Sequence, residues 1–177
     1  GKIDFDEQIT LTENDIQDYG TGSLRYAKLG TTYSLKTLAK LSLKQSDNTA
    51  AHILANKIGV PTIQDTIEHF GLTQTDIDEN LTSPSDMTLL LQKIWDNQVT
   101  TKAKTREFLG FMKDTDIEDR IPFHLPSTAV VYHKTGDAVG SLHDVAIIKD
   151  GDDVFILSIL TSDIGKDESA TKQTVSK

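Results

Sequence analysis

The sequence contains no cysteine, and only four prolines and one tryptophan among 177 residues. Without thiols there is no disulfide, no cysteine-bound zinc and no thiol nucleophile. No apolar run approaches the roughly 20 residues that a membrane-spanning helix needs. No signal-peptide pattern stands at the start. Gly1-Lys2-Ile3-Asp4-Phe5-Asp6 reads as mid-domain sequence, so the expectation is a piece of a longer polypeptide. Basic residues are scarce: 18 Lys and Arg face 27 Asp and Glu, a formal net charge of -9. Such a chain repels nucleic acid. Histidines stand at 52, 69, 124, 133 and 143, with no His-x-x-x-His spacing. Zinc needs three or four ligands, so the reading is no metal and no cofactor. His133 and His143 are the one pair that neighbouring strands would bring close. Gly20-Thr21-Gly22 lacks the following Lys-Ser/Thr of a phosphate loop.

What is present suffices for one folded domain. Hydrophobic residues make up 37% and charged residues 25%, enough for a core and too apolar for disorder. Up to about residue 120 the pattern is mainly helical. Ser34 caps a helix in which Leu35, Leu38, Ala39 and Ser42 share a face. A second helix is predicted over 49–57, stopped by Gly59. A third has Pro61 in its first turn and Ile63, Ile67 and Phe70 inward, stopped by Gly71. Ser83-Pro84-Ser85-Asp86 starts a fourth, striped by Met87, Leu90, Leu91, Ile94 and Trp95. A fifth holds Phe108, Leu109 and Met112. From 121 the period changes. Ala129–Tyr132, Val145–Ile148 and Val154–Leu160 read as three sequential antiparallel strands, followed by a weakly helical polar tail. The last strand is apolar on both faces, which predicts that both sides of the sheet are covered.

Two short stretches stand out. Ser46-Asp47-Asn48 lies between two helices, where all three residue types serve as N-caps. Lys134-Thr135-Gly136 comes just past an apolar strand and is read as lying where two strands meet at the surface. Each alone has an ordinary structural explanation. Together and in this order they resemble two of the three motifs of the penicillin-recognising serine hydrolases, the class A β-lactamases and penicillin-binding DD-peptidases. YSLKTLAKLSLKQSDNTAAHILANKIG resembles that family's helix, Ser-Asp-Asn loop and following helix. LTSPSDMTLLLQKIW resembles the helix after its omega loop. LPSTAVVYHKTGDAVGSLHDVAII resembles its Lys-Thr-Gly strand pair, with Gly140 and Asp144 in place.

The resemblance implies an α+β fold of two lobes: a helical lobe, here 1–120, and an antiparallel sheet lobe with a C-terminal helix, here 121–177. The active site would lie between them, with Ser46 and Lys134 facing each other. The expected substrate is a small molecule or peptide that carries a carboxylate near an amide: a β-lactam or a chain ending in D-Ala. Lys134 and Thr135 suit the carboxylate. Gly136 permits close backbone approach, and the Asp137 N–H would serve an oxyanion hole. Ser46 can relay a proton. Asn48 can hold the substrate amide, and Asp47 orients the loop. His133, beside Lys134, is read as a polar strand residue able to tune the site's charge. Gly20-Thr21-Gly22 resembles the loop that rims the family's cleft.

Two departures shape the expected activity. The family nucleophile stands in Ser-x-x-Lys at a helix start, upstream of everything here. The one such pattern in this chain, Ser169 to Lys172, lies in the tail. The expectation is that the nucleophile helix and first strands lie outside the chain, which alone would be inactive and would need a companion fragment or second chain to complete its fold. The omega loop is cut to TQTDIDENL, with Glu79 its only glutamate and read as a solvated carboxylate. Slow deacylation follows, closer to a penicillin-binding protein than to an efficient β-lactamase. The alternative is a non-catalytic module that binds peptidoglycan or β-lactams. Either way the substrate places the protein outside the cell or on its envelope, exported and perhaps tethered.

Overall fold

The computed structural model describes residues 3–165 and 168–176, the side chains of 168–170 apart. A short antiparallel pair, β1 (Gln8–Thr10) with β2 (Thr32–Ser34), leads into the helical part. This pair was not visible in the sequence, since three-residue strands are too short to show a period. Helices α1 (Leu35–Lys44), α2 (Asn48–Ile58), α3 (Val60–His69), α4 (Pro84–Trp95) and α5 (Lys102–Phe111) follow. Their starts obey local rules. Ser34, Asp47, Ser83 and Thr101 each accept a backbone N–H from the first turn. Leu35, Leu38, Ala50 and Ile53 close one core with Leu11 and Leu24.

The sheet is β3 (Val130–Ala138), β4 (Ser141–Asp150) and β5 (Asp153–Leu160), antiparallel in that order. Its central strand is packed on both faces. Ile147 meets Leu91, Ile94, Leu109 and Met112 on the α4/α5 side. Ala146 and Ile148 meet Ile121 and Val175, the latter from helix α6 (Glu168–Val175). Two expectations need correction here. Lys134-Thr135-Gly136 is not at a strand end: β3 runs on to Ala138, pairing Ala138 with Ser141 across Val139-Gly140, and Gly140 has a φ of 77°. The apolar run ended at Tyr132, but cross-strand hydrogen bonds carry the polar residues onward. Nor are both sides of β5 covered: Phe155 and Leu157 stay 56% and 39% exposed. β5 is an edge strand among the described residues, and the packing around α6 reaches only its Ile159 end.

Candidate active site

The two motifs meet at a hydrogen bond between residues 88 positions apart. Lys134 Nζ donates to Ser46 Oγ at 2.6 Å and also bonds the Thr135 carbonyl. Ser46 reaches this position through a left-handed backbone, φ 53°, between the end of α1 and the cap of α2. A serine in that region is uncommon, and its surroundings fix it. The Thr21 hydroxyl donates to the Ser46 carbonyl at 2.7 Å. Next to it Asp47 is 1% exposed; its carboxylate accepts from Ala50 N at 2.9 Å and Leu24 N at 2.8 Å. One side chain thus caps α2 and ties it to the preceding loop. Asn48 donates its side-chain amide to the Tyr19 carbonyl at 3.2 Å, and its backbone N–H goes to the Thr21 carbonyl.

The Gly20-Thr21-Gly22 loop is built around these residues. Gly20 and Gly22 have φ of 70° and 108°, and a Cβ on either would stand 2.2 Å from Asn48 Nδ2 or 2.3 Å from Asp47 Cγ. Both glycines are required by the close approach as well as by the dihedral.

Strand alternation sorts the second motif. Lys134, Gly136 and His143 lie on the sheet face toward α4. His133, Thr135 and Asp144 lie on the face toward Ile121 and Val175, with Thr135 paired across to Asp144. Lys134 and Thr135 can therefore serve one ligand only along the outer edge of β3, which has no strand partner among the described residues. A Cβ at Gly136 would touch only the His143 ring, at 3.5 Å, an ordinary contact, so nothing inside the chain demands glycine there. Burial pushes the Lys134 ammonium down to about 8, with Asp137 and Asp144 pulling the other way and Arg120 adding to the lowering. Lys134 thus stays mostly charged at neutral pH but gives up its proton far more readily than a surface lysine. A cavity of about 550 Å³ opens beside Gly136, Asp137 and Ala138; its other walls include Asn80 to Pro84, His143 and Thr161. Ser46 and Lys134 do not line it. Glu79 is exposed in a tight turn where Asp76 accepts its N–H and that of Asp78.

Two groups of the site, Arg120 and Glu118, were not foreseen. Arg120 is 1% exposed, yet its guanidinium bonds Asp137 at 2.6 Å, the His143 carbonyl at 2.6 Å and, at 3.4 Å, the Gly136 carbonyl. It braces the far end of β3 from below. His133 is 0% exposed, between the carboxylates of Asp144 and Glu118. The expected approach of His133 to His143 does not occur: the register opposes His143 to Gly136, and His143 Nδ1 accepts from Thr161 N. Hairpin register would have shown Asp144 opposite the Lys-Thr-Gly strand, but the loop from Thr115 to Arg120 carries no periodic signal. The Ser169 side chain lies outside the described residues.

A family model for the beta-lactamase enzyme family matches residues 1–177. The chain belongs to that family. It is 25% identical to a beta-lactamase of Bacillus licheniformis, over 93% of this chain and 59% of that protein. It is 27% identical to beta-lactamase 3 of Bacillus cereus, over 81% of this chain and 50% of that protein. The chain thus spans between half and three-fifths of the curated relatives it matches. Among solved structures it resembles a beta-lactamase from Sphaerobacter thermophilus, with a TM-score of 0.90, 23% identity, and coverage of 97% of this chain and 69% of that one. It resembles PBP-A with a TM-score of 0.88 at 22% identity, covering 97% and 68%. The α+β architecture expected from the motifs is therefore that of the beta-lactamase family.

Proposed function

We propose that the chain forms most of the site of a serine hydrolase that acts on β-lactams or D-Ala-terminated wall peptides through an acyl-enzyme. The contact between Lys134 Nζ and Ser46 Oγ carries this reading. A lysine donating to a serine hydroxyl leaves that hydroxyl's own proton free to pass to a leaving nitrogen. The open edge of β3 offers Lys134, Thr135 and the Asp137 N–H to a carboxylate and to a developing oxyanion. Gly136, which the chain itself does not require, keeps that edge low. Asn48, already committed to the Tyr19 carbonyl, retains its amide oxygen for the substrate.

The acylating serine would come from a segment outside these 177 residues, whether a companion fragment or a second chain. The short loop around Glu79 supports slow deacylation, because an exposed carboxylate in a self-contained turn is poorly placed to hold a water. Such substrates occur outside the bacterial membrane, which favours an exported protein. A binding module is the second reading. It is favoured by one observation: among the described residues, Lys134 Nζ bonds only Ser46 Oγ and the Thr135 carbonyl.

The kcat/KM of the full-length protein for a chromogenic cephalosporin, which reads acylation even where deacylation is slow, tests the assignment. Ser46→Ala is expected to lower the acylation rate by roughly 10²–10⁴-fold, the usual scale of a lost proton relay. An unchanged rate in that variant would remove Ser46 from the mechanism.

A further inference from the structure

His133 is wedged between two acceptors that both need a proton from it. Its Nδ1 lies 3.0 and 3.1 Å from the two oxygens of Asp144, and its Nε2 lies 3.1 Å from Glu118 Oε1 and 3.0 Å from the Thr115 hydroxyl. Ionised carboxylates only accept, so both bonds exist together only in the imidazolium. Neutral imidazole keeps one N–H. Asp144 is fully buried and holds that proton more strongly than half-exposed Glu118. Loss of the second proton therefore leaves a ring lone pair facing the Glu118 carboxylate, and the Thr115 hydroxyl, 3.0 Å from Nε2, can satisfy it only by giving up its bond to Glu118.

Glu118 is the anchor of the segment that carries Arg120. It accepts from the Thr115 hydroxyl at 2.8 Å and bonds Thr115 N, while Ile121 N donates to Asp144 Oδ2 at 3.1 Å. Between these ties Arg120 reaches out to Asp137, the His143 carbonyl and the Gly136 carbonyl. We propose that His133 is a positioning residue: its two ring N–H groups latch this segment to the sheet, and loss of the proton facing Glu118 loosens Arg120's hold on the ligand-binding end of β3. This deepens the function proposed above and rests on it for the meaning of that strand end.

The charged neighbours are few. β4 contributes Asp144, and the cross-strand partners Ala146 and Leu157 bring no charge. The 115–121 segment contributes Glu118, Arg120 and Asp119, and the last is taken by Lys172 of α6 at 2.7 Å. Lys134 points from the opposite face. Burial alone would lower the His133 pKa, but the bonds and charges of Asp144 and Glu118 outweigh it and raise it above 6.5. The latch is thus closed below that ordinary value and opens as pH rises through the raised one.

Glu118→Gln isolates the effect at a half-exposed position. The Gln side chain can present its oxygen to the imidazolium or, flipped, its NH2 to a neutral His133 Nε2, and the Thr115 hydroxyl can donate or accept to suit either, so the tie no longer needs the second proton. The experiment compares penicillin acylation of the full-length wild type and E118Q from pH 6 to 9. In parallel, NMR follows the His133 ring, the Arg120 Nε–H and the Ile121 amide. The fall that comes from Lys134 is common to both proteins and cancels in their ratio. The wild-type to E118Q ratio is expected to drop by about tenfold across the range, the scale of one charge-assisted hydrogen bond. The Arg120 and Ile121 signals are expected to move with the His133 midpoint in wild type alone. A ratio that stays constant, or a His133 titration that leaves Arg120 and Ile121 unmoved, overturns the latch. No acylation by either protein at any pH overturns the proposed function instead, and the NMR coincidence then decides the latch by itself.

Discussion

Lys134 shows how burying a cation at the proposed site costs stability. Its ammonium is held at about 8 because it is largely out of water. The unfolded chain, with an ordinary lysine, binds more protons between about 8 and 10.5, so Lys134's contribution makes stability rise with pH across that window. Lys134→Met is expected to abolish that rise. At pH 7 it should stabilise the fold by roughly 1–2 kcal/mol, the pKa displacement being discounted for the part of the side chain that stays wet. Thermal melts of the two proteins at pH 7 and pH 10 check both statements. A variant less stable than wild type at pH 7 would mean that the bond to Ser46 outweighs desolvation. At this scale the sequence was readable where a motif named the residue, as for Ser46 and Lys134. Arg120 and Glu118 escaped because their roles depend on where an irregular loop returns to the sheet, which no local pattern encodes.

The loop and helix that present Ser46 depend on one buried carboxylate and two glycines. Asp47→Ala removes the α2 cap and leaves Leu24 N without its acceptor, an expected loss of about 2–3 kcal/mol in urea unfolding. Gly22→Ala faces both a positive φ and a Cβ 2.3 Å from Asp47 Cγ. It should cost about as much and also displace Ser46, so its acylation rate should fall further than its stability alone explains. Equal stability of Gly22→Ala and wild type would contradict the close packing. Helices were legible at this scale because caps and 3.6-residue stripes are local. The length of β3 was not, because its last residues are held by partners on β4 rather than by their own hydrophobicity.

The molecule has well-packed interiors and a bare apolar surface on β5. Both faces of β4 are covered, while Phe155 and Leu157 on β5 lie open at an edge that is unpaired among the described residues. An open apolar edge strand invites pairing. Expressed by itself, the 177-residue chain is expected to bind a hydrophobic dye and to associate. Phe155→Lys should reduce both in the isolated chain and weaken assembly with any companion segment, as light scattering and gel filtration would show. The order of the motifs foretold the two-part architecture, because Ser46 and Lys134 only make sense facing each other. The bare side of β5 was hidden, since an apolar run looks the same whether or not something covers it. The most direct measurement is the intact mass of the full-length protein, wild type and Lys134→Ala, after incubation with benzylpenicillin. The expected result is a lasting adduct of one penicillin on wild type, formed at least ~10²-fold more slowly in the variant. Neither adduct nor turnover in the wild type would contradict the proposed site.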